Sequence, residues 1–377
     1  MLSTPPRTPF PKPTTTNPSP SPRTPPTEPA PFKPKRIHFL TLADDDRPEV
    51  CLVGSILYQS GHILQILAWN HSTRFFDNTT CGVQCGANEG NDFRVGQQKK
   101  THWLHHYIMH TNHLDDDDVI LFTDSYDVII QADVNELPNL FLKQTKDRRG
   151  IIFNSEPTCG DSFTLGGDYG DHLRNAVFGV QLYTNTPVKS VLGWHMCEQI
   201  EAKSIASSVG DGPNKFLGSG GFIGDVKTVR EFLQRVKMVH KKQQDAFESG
   251  ASPFFFYGDQ ISFQLAYVLY PELNAQVDRN GEIFFVVSSG VHFGIFENFL
   301  PNFGCTDNYF SNGIGSNLTW SHSKPIFFHF PGGYKHLYTT CAKHVLKRII
   351  PISGDQFMFD IDRQRSISME SVCPNMT

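Results

Sequence analysis

The chain has 377 residues, 39% of them hydrophobic and 19% charged, with a formal net charge of -5. That length suits one large domain or two small ones, and the slight acidity excludes the basic stripe that a nucleic-acid surface needs. No apolar run approaches the roughly 18 residues of a membrane helix, and the N-terminus shows no basic-then-apolar secretory signal, so the chain as it stands reads as soluble.

Residues 1–34 hold 13 of the 25 prolines, mixed with Ser and Thr. Such a stretch buries too little apolar surface to offset chain ordering and is expected to be a disordered leader or stalk. The folded part, 35–350, opens with "RIHFLTLADDD", where Ile37, Phe39, Leu40 and Leu42 predict a short buried strand. "CLVGSILYQSGHILQILAWN" predicts a helix and then a strand, and 78–96, rich in Gly, Asn and Cys, a long loop. "QQKKTHWLHHYIMHTNHL" predicts a helix with Trp103, Leu104, Tyr107, Ile108 and Leu114 inward. His102, His105, His106, His110 and His113 lie opposite that face; their i, i+4 spacing suits zinc, but a solvated face is the reading taken. Asp115–Asp118 is expected to be a solvated loop.

A strand over 119–123, a helix over "VNELPNLFLKQT" and a strand over "GIIFNSE" follow. "FLGSGGFIGD" at 216–225 reads as a glycine turn feeding an amphipathic helix, with Asp225 as N-cap and Val226, Val229, Phe232, Leu233, Val236 and Val239 inward. A helix near 259–270, a strand "EIFFVV" and a strand in "KPIFFHFPGG" complete the pattern, and 351–377 is expected to be a C-terminal tail. Strands alternating with helices argue for an α/β fold with a mainly parallel central sheet, in which ligands bind beyond the carboxyl ends of strands. Eight scattered cysteines permit disulfides without demanding them. Sequons at Asn70, Asn78, Asn317 and Asn375 favour a luminal setting mildly. The secretory-pathway lumen is expected if a signal is missing from this chain, and a soluble cytoplasmic location otherwise.

The chemistry-bearing residues cluster at strand ends. Asp124 and Asp127 leave the 119–123 strand as D-x-x-D; a hard cation such as Mn2+ or Mg2+ needs few protein carboxylates when a diphosphate supplies the remaining oxygens. A capped turn is the competing reading. In "FFHFPGGYK" a strand ends in His329, Gly332 and Gly333 allow close backbone approach, and Lys335 offers a mobile charge; a strand-end histidine with a hairpin turn would look the same. "GSGGFIG" lacks the P-loop Lys-Ser/Thr, so its glycines either make room for a neutral ligand such as a sugar ring or form a tight helix-entry turn.

"ILFTDSYDVII", "KFLGSGGFIG", "GDQISF" and "FFHFPGGYK", in that order, resemble the glycosyltransferase domain of the multifunctional procollagen lysyl hydroxylases over roughly 36–340. The resemblance implies a GT-A-like nucleotide-diphospho-sugar transferase fold. It implies Mn2+ or Mg2+ held by Asp124, Asp127 and His329, and a UDP-sugar as donor. Tyr126 would stack on uracil, with Ser125, Lys100, Gly332 and Lys335 near the nucleotide. Gly220 and Gly221 would flank the sugar, and Asp259 would act on the acceptor side as the catalytic carboxylate. The implied activity is transfer of glucose or galactose from the UDP-sugar to a protein or glycan hydroxyl, without a nucleic-acid partner or a membrane span. The alternative is a catalytically silent GT-A fold that binds nucleotide or glycan. This chain departs from the family pattern by keeping only Asp259 ahead of Gln260 in place of an aspartate run, and by placing Pro331 where Asn is usual.

Overall fold

In the computed structural model the described residues are 31–43, 47–69, 92–157, 159, 192–250, 259–287, 322, 324–332, 335, 338–339, 341–342, 352 and 354–374. Strand β1 (Ile37–Leu42) leads into helix α1 (Pro48–Gln59), which begins on a proline, where the missing N–H costs nothing, and ends before Gly61 at φ 82°. Strand β2 (Leu64–Leu67) then lies parallel to β1, with α1 as the crossover. Helix α2 (Asp92–His110) repeats the manoeuvre on the other side, delivering β3 (Val119–Asp124) parallel to β1, from Ile37 opposite Val119 to Leu42 opposite Asp124.

The chain continues through β4 (Val128–Ile130), α3 (Leu137–Thr145), β5 (Ile151–Glu156), α4 (Leu192–Ser207) and β6 (Phe216–Asp225). Helix α5 (Val226–Glu248), α6 (Asp259–Leu269), β7 (Ala275–Val277), β8 (Phe284–Val286) and β9 (Phe327–His329) follow. The last elements are β10 (Phe357–Asp360), β11 (Arg365–Ser368) and α7 (Met369–Val372). Eight strands form the central sheet in the order β11-β10-β2-β1-β3-β6-β5-β7, and β4-β9-β8 form a smaller one. The central sheet is mostly parallel; β6 runs antiparallel to both β3 and β5, and β11 antiparallel to β10.

Each face of the sheet buries its own apolar layer. One packs Leu104 and Ile108 of α2, Phe232 and Val236 of α5 and Phe263 of α6 against Phe122, Phe153 and Phe222. The other packs Val50 and Val53 of α1, Phe284 of β8 and Phe327 of β9 against Phe39, Leu121 and Ile223. Each such side chain contributes about 1.5–3 kcal/mol when fully removed from water. The inward stripe expected for α5 is buried, and Asp225 caps it, its Oδ1 accepting from the Thr228 amide at 3.0 Å.

Four expectations are corrected. The glycine stretch 216–225 is a ten-residue strand between β3 and β5, not a turn. The segment expected as a tail supplies β10, β11 and α7, and a disulfide from Cys373 to Cys51 fastens it to α1. The folded body starts before residue 35: Phe32 is buried, its amide donates to the Asp147 carbonyl at 2.8 Å, and Arg149 lies over its ring. Asp115–Asp118 is the loop expected, with Asp115 and Asp116 exposed, but it is solvated only in part, because an ion-pair network runs through it. Asp118 is fully buried and receives Arg36 at 2.7 Å and His38 at 3.1 Å, Arg230 holds Asp116 at 2.5 Å, and Arg149 holds Asp117. The cations come from distant segments, so the acidic run shows no local sign of them.

His102, His106 and His110 lie exposed along α2, as expected of a solvated face. The loop expected over 78–96 gives way to α2 from residue 92; residues 78–91, the four sequons, Gly333, Cys81, Cys85 and Cys305 lie outside the described residues. Among the described residues no helix is long and apolar enough to cross a membrane.

Candidate functional site

Three elements converge at one end of β3. Asp124 is the last residue of β3, and Thr123 beside it pairs with Gly221 of β6, which places Gly220 under the aspartate. The chain turns through Ser125–Asp127 into β4, where Val128 pairs with His329 of β9 and the Asp127 carbonyl accepts the Phe330 amide at 2.9 Å. Residues two hundred positions apart in sequence are thereby neighbours through backbone pairing alone.

Asp124, Asp127 and His329 each offer a ligand atom, and these atoms lie within 4.8 Å of one another. His329 Nε2 stands 3.6 Å from Asp124 Oδ2 and 3.6 Å from Asp127 Oδ1, beyond hydrogen-bond reach, and it is buried without a hydrogen-bond partner. Ligands about 2.1 Å from a common octahedral ion stand about 3 Å apart when adjacent and about 4 Å apart when opposite. A buried imidazole nitrogen left unpartnered between two carboxylates is what a divalent cation would complete. The residues present fit such an ion.

The electrostatics agree. Burial pushes the Asp124 carboxyl above its ordinary value, against the pull of Lys100 and His329. Burial would raise Asp127 too, but His329 and Lys335 outweigh it and hold this carboxyl low. Burial works to lower His329, and the Asp127 and Asp124 carboxylates reverse the sign and raise it. Two carboxylates that raise the pKa of a buried imidazole against its burial make the local potential negative.

The remaining residues take distinct positions. Lys100 reaches from α2 to Asp124 Oδ1 at 3.1 Å, to the Ser219 carbonyl at 3.4 Å, and into an ion pair with Asp259. Asp259, expected on the acceptor side, is buried at the start of α6 and neutralises this lysine. Lys335, half exposed, reaches Asp127 Oδ2 at 3.2 Å, and Gly332 holds φ 59°, a conformation that favours glycine. The Ser125 hydroxyl is used locally, donating to the Leu42 carbonyl at 2.8 Å. Tyr126 is half-buried with the Arg47 guanidinium 4.6 Å above its ring. Gly220 is glycine because of the ligand shell: a Cβ there would meet His329 Cε1 at 2.2 Å and Asp124 Oδ2 at 2.9 Å. A Cβ on Gly221 would meet the Phe284 ring at 2.9 Å.

The sequence reading missed three residues beside this cluster. Asn154 of β5 lies 3.3 Å from His329 Nδ1, Glu156 accepts from Gln260 at 3.3 Å, and Arg47 covers Tyr126. Asn154 did carry a signal, as a polar residue directly after the apolar run Ile151–Phe153 inside a predicted strand.

Residues 68–175, a span that contains Asp124, Asp127 and Asn154, match the family model described as PLOD GT domain. No curated protein sequence matches the chain significantly. Among solved structures, the bifunctional glycosyltransferase WbbM in its apo form is 12% identical at a TM-score of 0.39, covering 82% of this chain. The chain spans about half of WbbM, 49% of its length. Mouse xyloside xylosyltransferase 1 in its apo form is 12% identical at a TM-score of 0.37, covering 79% of this chain and 98% of that one. The galactosyltransferase LgtC, in complex with donor and acceptor sugar analogues, is 11% identical at a TM-score of 0.35, covering 82% and 95%. Likenesses of that strength assign no property to this chain. The family match falls on the strand end that carries the paired aspartates, in a mixed α/β fold whose central sheet is mostly parallel.

Proposed function

We propose that this domain transfers a hexose, glucose or galactose, from a UDP-sugar to a protein or glycan hydroxyl, using Mn2+. The observation that carries the reading is the buried, unpartnered Nε2 of His329 facing Asp124 and Asp127 at a strand end of a glycosyltransferase domain. When bound, a divalent cation supplies Lewis-acid stabilisation of the diphosphate leaving group. Asp124, Asp127 and His329 would hold it, with a mixed oxygen and nitrogen donor set that suits Mn2+ and tolerates Mg2+.

The chain's own residues do the rest. Lys335, half exposed, would leave Asp127 for a diphosphate oxygen. Tyr126 would offer the aromatic face that Arg47 covers to the uracil once Arg47 moves. Asp259 holds Lys100 against Asp124, and the pair sets the charge beneath the donor sugar.

One observation favours a second reading, a donor-binding protein without turnover: Asp259 is buried and committed to Lys100, so it is not available as an acceptor base. Measuring UDP release from UDP-glucose and UDP-galactose, with Mn2+ and then with a chelator, separates the two. Mn2+-dependent UDP release together with transferred sugar supports the lead. Mn2+-dependent UDP binding without release supports the second, and absence of both sinks the metal-centred reading. The secretory-pathway lumen is the compartment we propose, supported by the Cys51–Cys373 and Cys159–Cys197 disulfides, which persist in oxidising surroundings.

A further inference from the structure

We propose that Asn154 is a positioning residue that fixes the ring orientation and tautomer of His329, so that Nε2 presents its lone pair between Asp124 and Asp127. The metal-binding consequence rests on the reading given under Proposed function; the tautomer does not.

Asn154 occurs at a register shift, where the pairing of β5 with β6 slips between Phe153 and Ser155. Bulges of this kind re-aim a side chain out of the regular alternation. Here the aim is inward: the side chain is fully buried, and one end of its amide is 3.3 Å from His329 Nδ1. Its other end lies between two backbone carbonyls of β6, at 3.1 Å from the Gly221 oxygen and in close contact with the Gly218 oxygen. An amide has one donor end and one acceptor end. Two carbonyl oxygens demand the donor, so the NH2 faces Gly218 and Gly221 and the oxygen faces Nδ1. The opposite orientation would set oxygen against oxygen twice.

An oxygen facing Nδ1 requires an N–H there, and a neutral imidazole protonated on Nδ1 has a bare Nε2. That is the nitrogen found buried, without a hydrogen bond, 3.6 Å from each carboxylate. Gly218 completes the device: a Cβ there would come within 2.8–2.9 Å of the Asn154 amide atoms and 2.7 Å from Glu156 Oε1. Glycine at 218 leaves room for the amide, and glycine at 220 leaves room for the ring it orients. Metal-bound histidines commonly donate their second N–H to a carbonyl or carboxylate in this way, and losing that partner weakens metal binding about 10–100-fold.

The test combines ring 15N NMR of histidine-labelled protein with Mn2+ titration followed by EPR, on the full chain and on Asn154→Leu. The NMR is read without metal at alkaline pH, where imidazole is neutral, with His329 assigned by its loss in His329→Gln. The expected result is a proton on Nδ1 of His329 in the unmodified chain, a shift of population towards Nε2–H in Asn154→Leu, and Mn2+ binding weakened about 10–100-fold in that variant. A bare Nδ1 in the unmodified chain overturns the proposal without need of a folded variant. So does a variant with unchanged tautomer, whether its Mn2+ affinity is kept or lost, since loss alone would mean a packing effect. If the unmodified chain binds no Mn2+ yet shows the Asn154-dependent tautomer, Asn154 keeps its role and the metal-dependent transferase reading falls.

Discussion

His329 is the residue on which opposing forces meet. Its burial disfavours a charged ring, yet Asp127 and Asp124 overturn that and raise its pKa, while burial raises Asp124 as well. Both groups therefore bind protons more tightly in the folded, metal-free chain than when unfolded. The stability they contribute is full below their unfolded values, near 6.5 for His and 3.9 for Asp, and is lost as pH rises through the raised ones. A bound cation reverses the trend, because it replaces the imidazole proton and gains as the proton leaves. Thermal unfolding with saturating Mn2+ and with chelator should therefore show a gap in Tm that widens from about pH 6 to about pH 8, with the affinity rising up to about tenfold per pH unit. A gap independent of pH would remove His329 from the ligand set. The three candidate ligands are legible in the sequence because each ends or follows an apolar run, where α/β sheets expose side chains to ligands. The engagement of Asp259 by Lys100 and the contact of Asn154 with His329 are not legible, since they join residues 159 and 175 positions apart through space alone.

At the scale of the element, β6 explains both a success and a failure of sequence reasoning. "FLGSGGFIGD" has too many glycines to look like a strand, because glycine weakens strand interiors unless something approaches closely. Something does at each of three positions. His329 and Asp124 crowd Gly220, Phe284 crowds Gly221, and Val229 with Ile151 crowds Gly224. The helix that follows was legible because its apolar spacing and its Asp225 cap are local, whereas the neighbours that demand glycine come from five elements outside the strand. Two substitutions on this strand separate site from scaffold. Gly220→Ala sets a methyl 2.2 Å from His329 Cε1, so the imidazole must swing away, and Mn2+ affinity should fall at least about tenfold with a modest loss of stability. Gly224→Ala sets a methyl 2.8 Å from Val229 Cγ2 and 3.0 Å from Ile151 Cβ, an overpacking that costs about 1–3 kcal/mol. It should leave Mn2+ affinity unchanged. Denaturant unfolding and Mn2+ titration of both variants check the pair, and similar profiles for the two would refute the division.

For the whole molecule, the decisive feature is that the C-terminal segment closes the sheet begun by the N-terminal half. β10 lies parallel to β2, and Met358 and Met369 fill the space above Gly54, where a Cβ would meet Met358 Sδ at 2.8 Å. The Ser55 hydroxyl donates to Gln356 at 3.1 Å, and Cys51 is bonded to Cys373 across 322 residues. Alternation in "QFMFDIDRQ" fails to announce this strand because the side chains it buries fully include Gln356 and Asp360 as well as Met358, while Phe357 and Phe359 are only half-buried. The polar pair is satisfied by one local and one distant contact: Asp360 takes Arg363, three residues on, at 3.0 Å, and Gln356 takes Ser55 from the other end of the chain. Two interventions of different severity follow. Replacing Cys51 and Cys373 together by serine frees a very long loop in the unfolded chain and should lower stability by about 2–5 kcal/mol. The candidate metal cluster, at the end of β3, in the turn before β4 and on β9, should retain its Mn2+ affinity in that variant. Deleting the chain from residue 354 onwards strips β2 of its neighbour, exposes Val50, Val53 and Ile66 of the second apolar layer, and leaves a bare strand edge beside them. That truncation should aggregate or unfold, and size-exclusion chromatography with thermal unfolding reads the difference. A truncated chain as stable and monodisperse as the full one would make the last segment the appendage its composition first suggested.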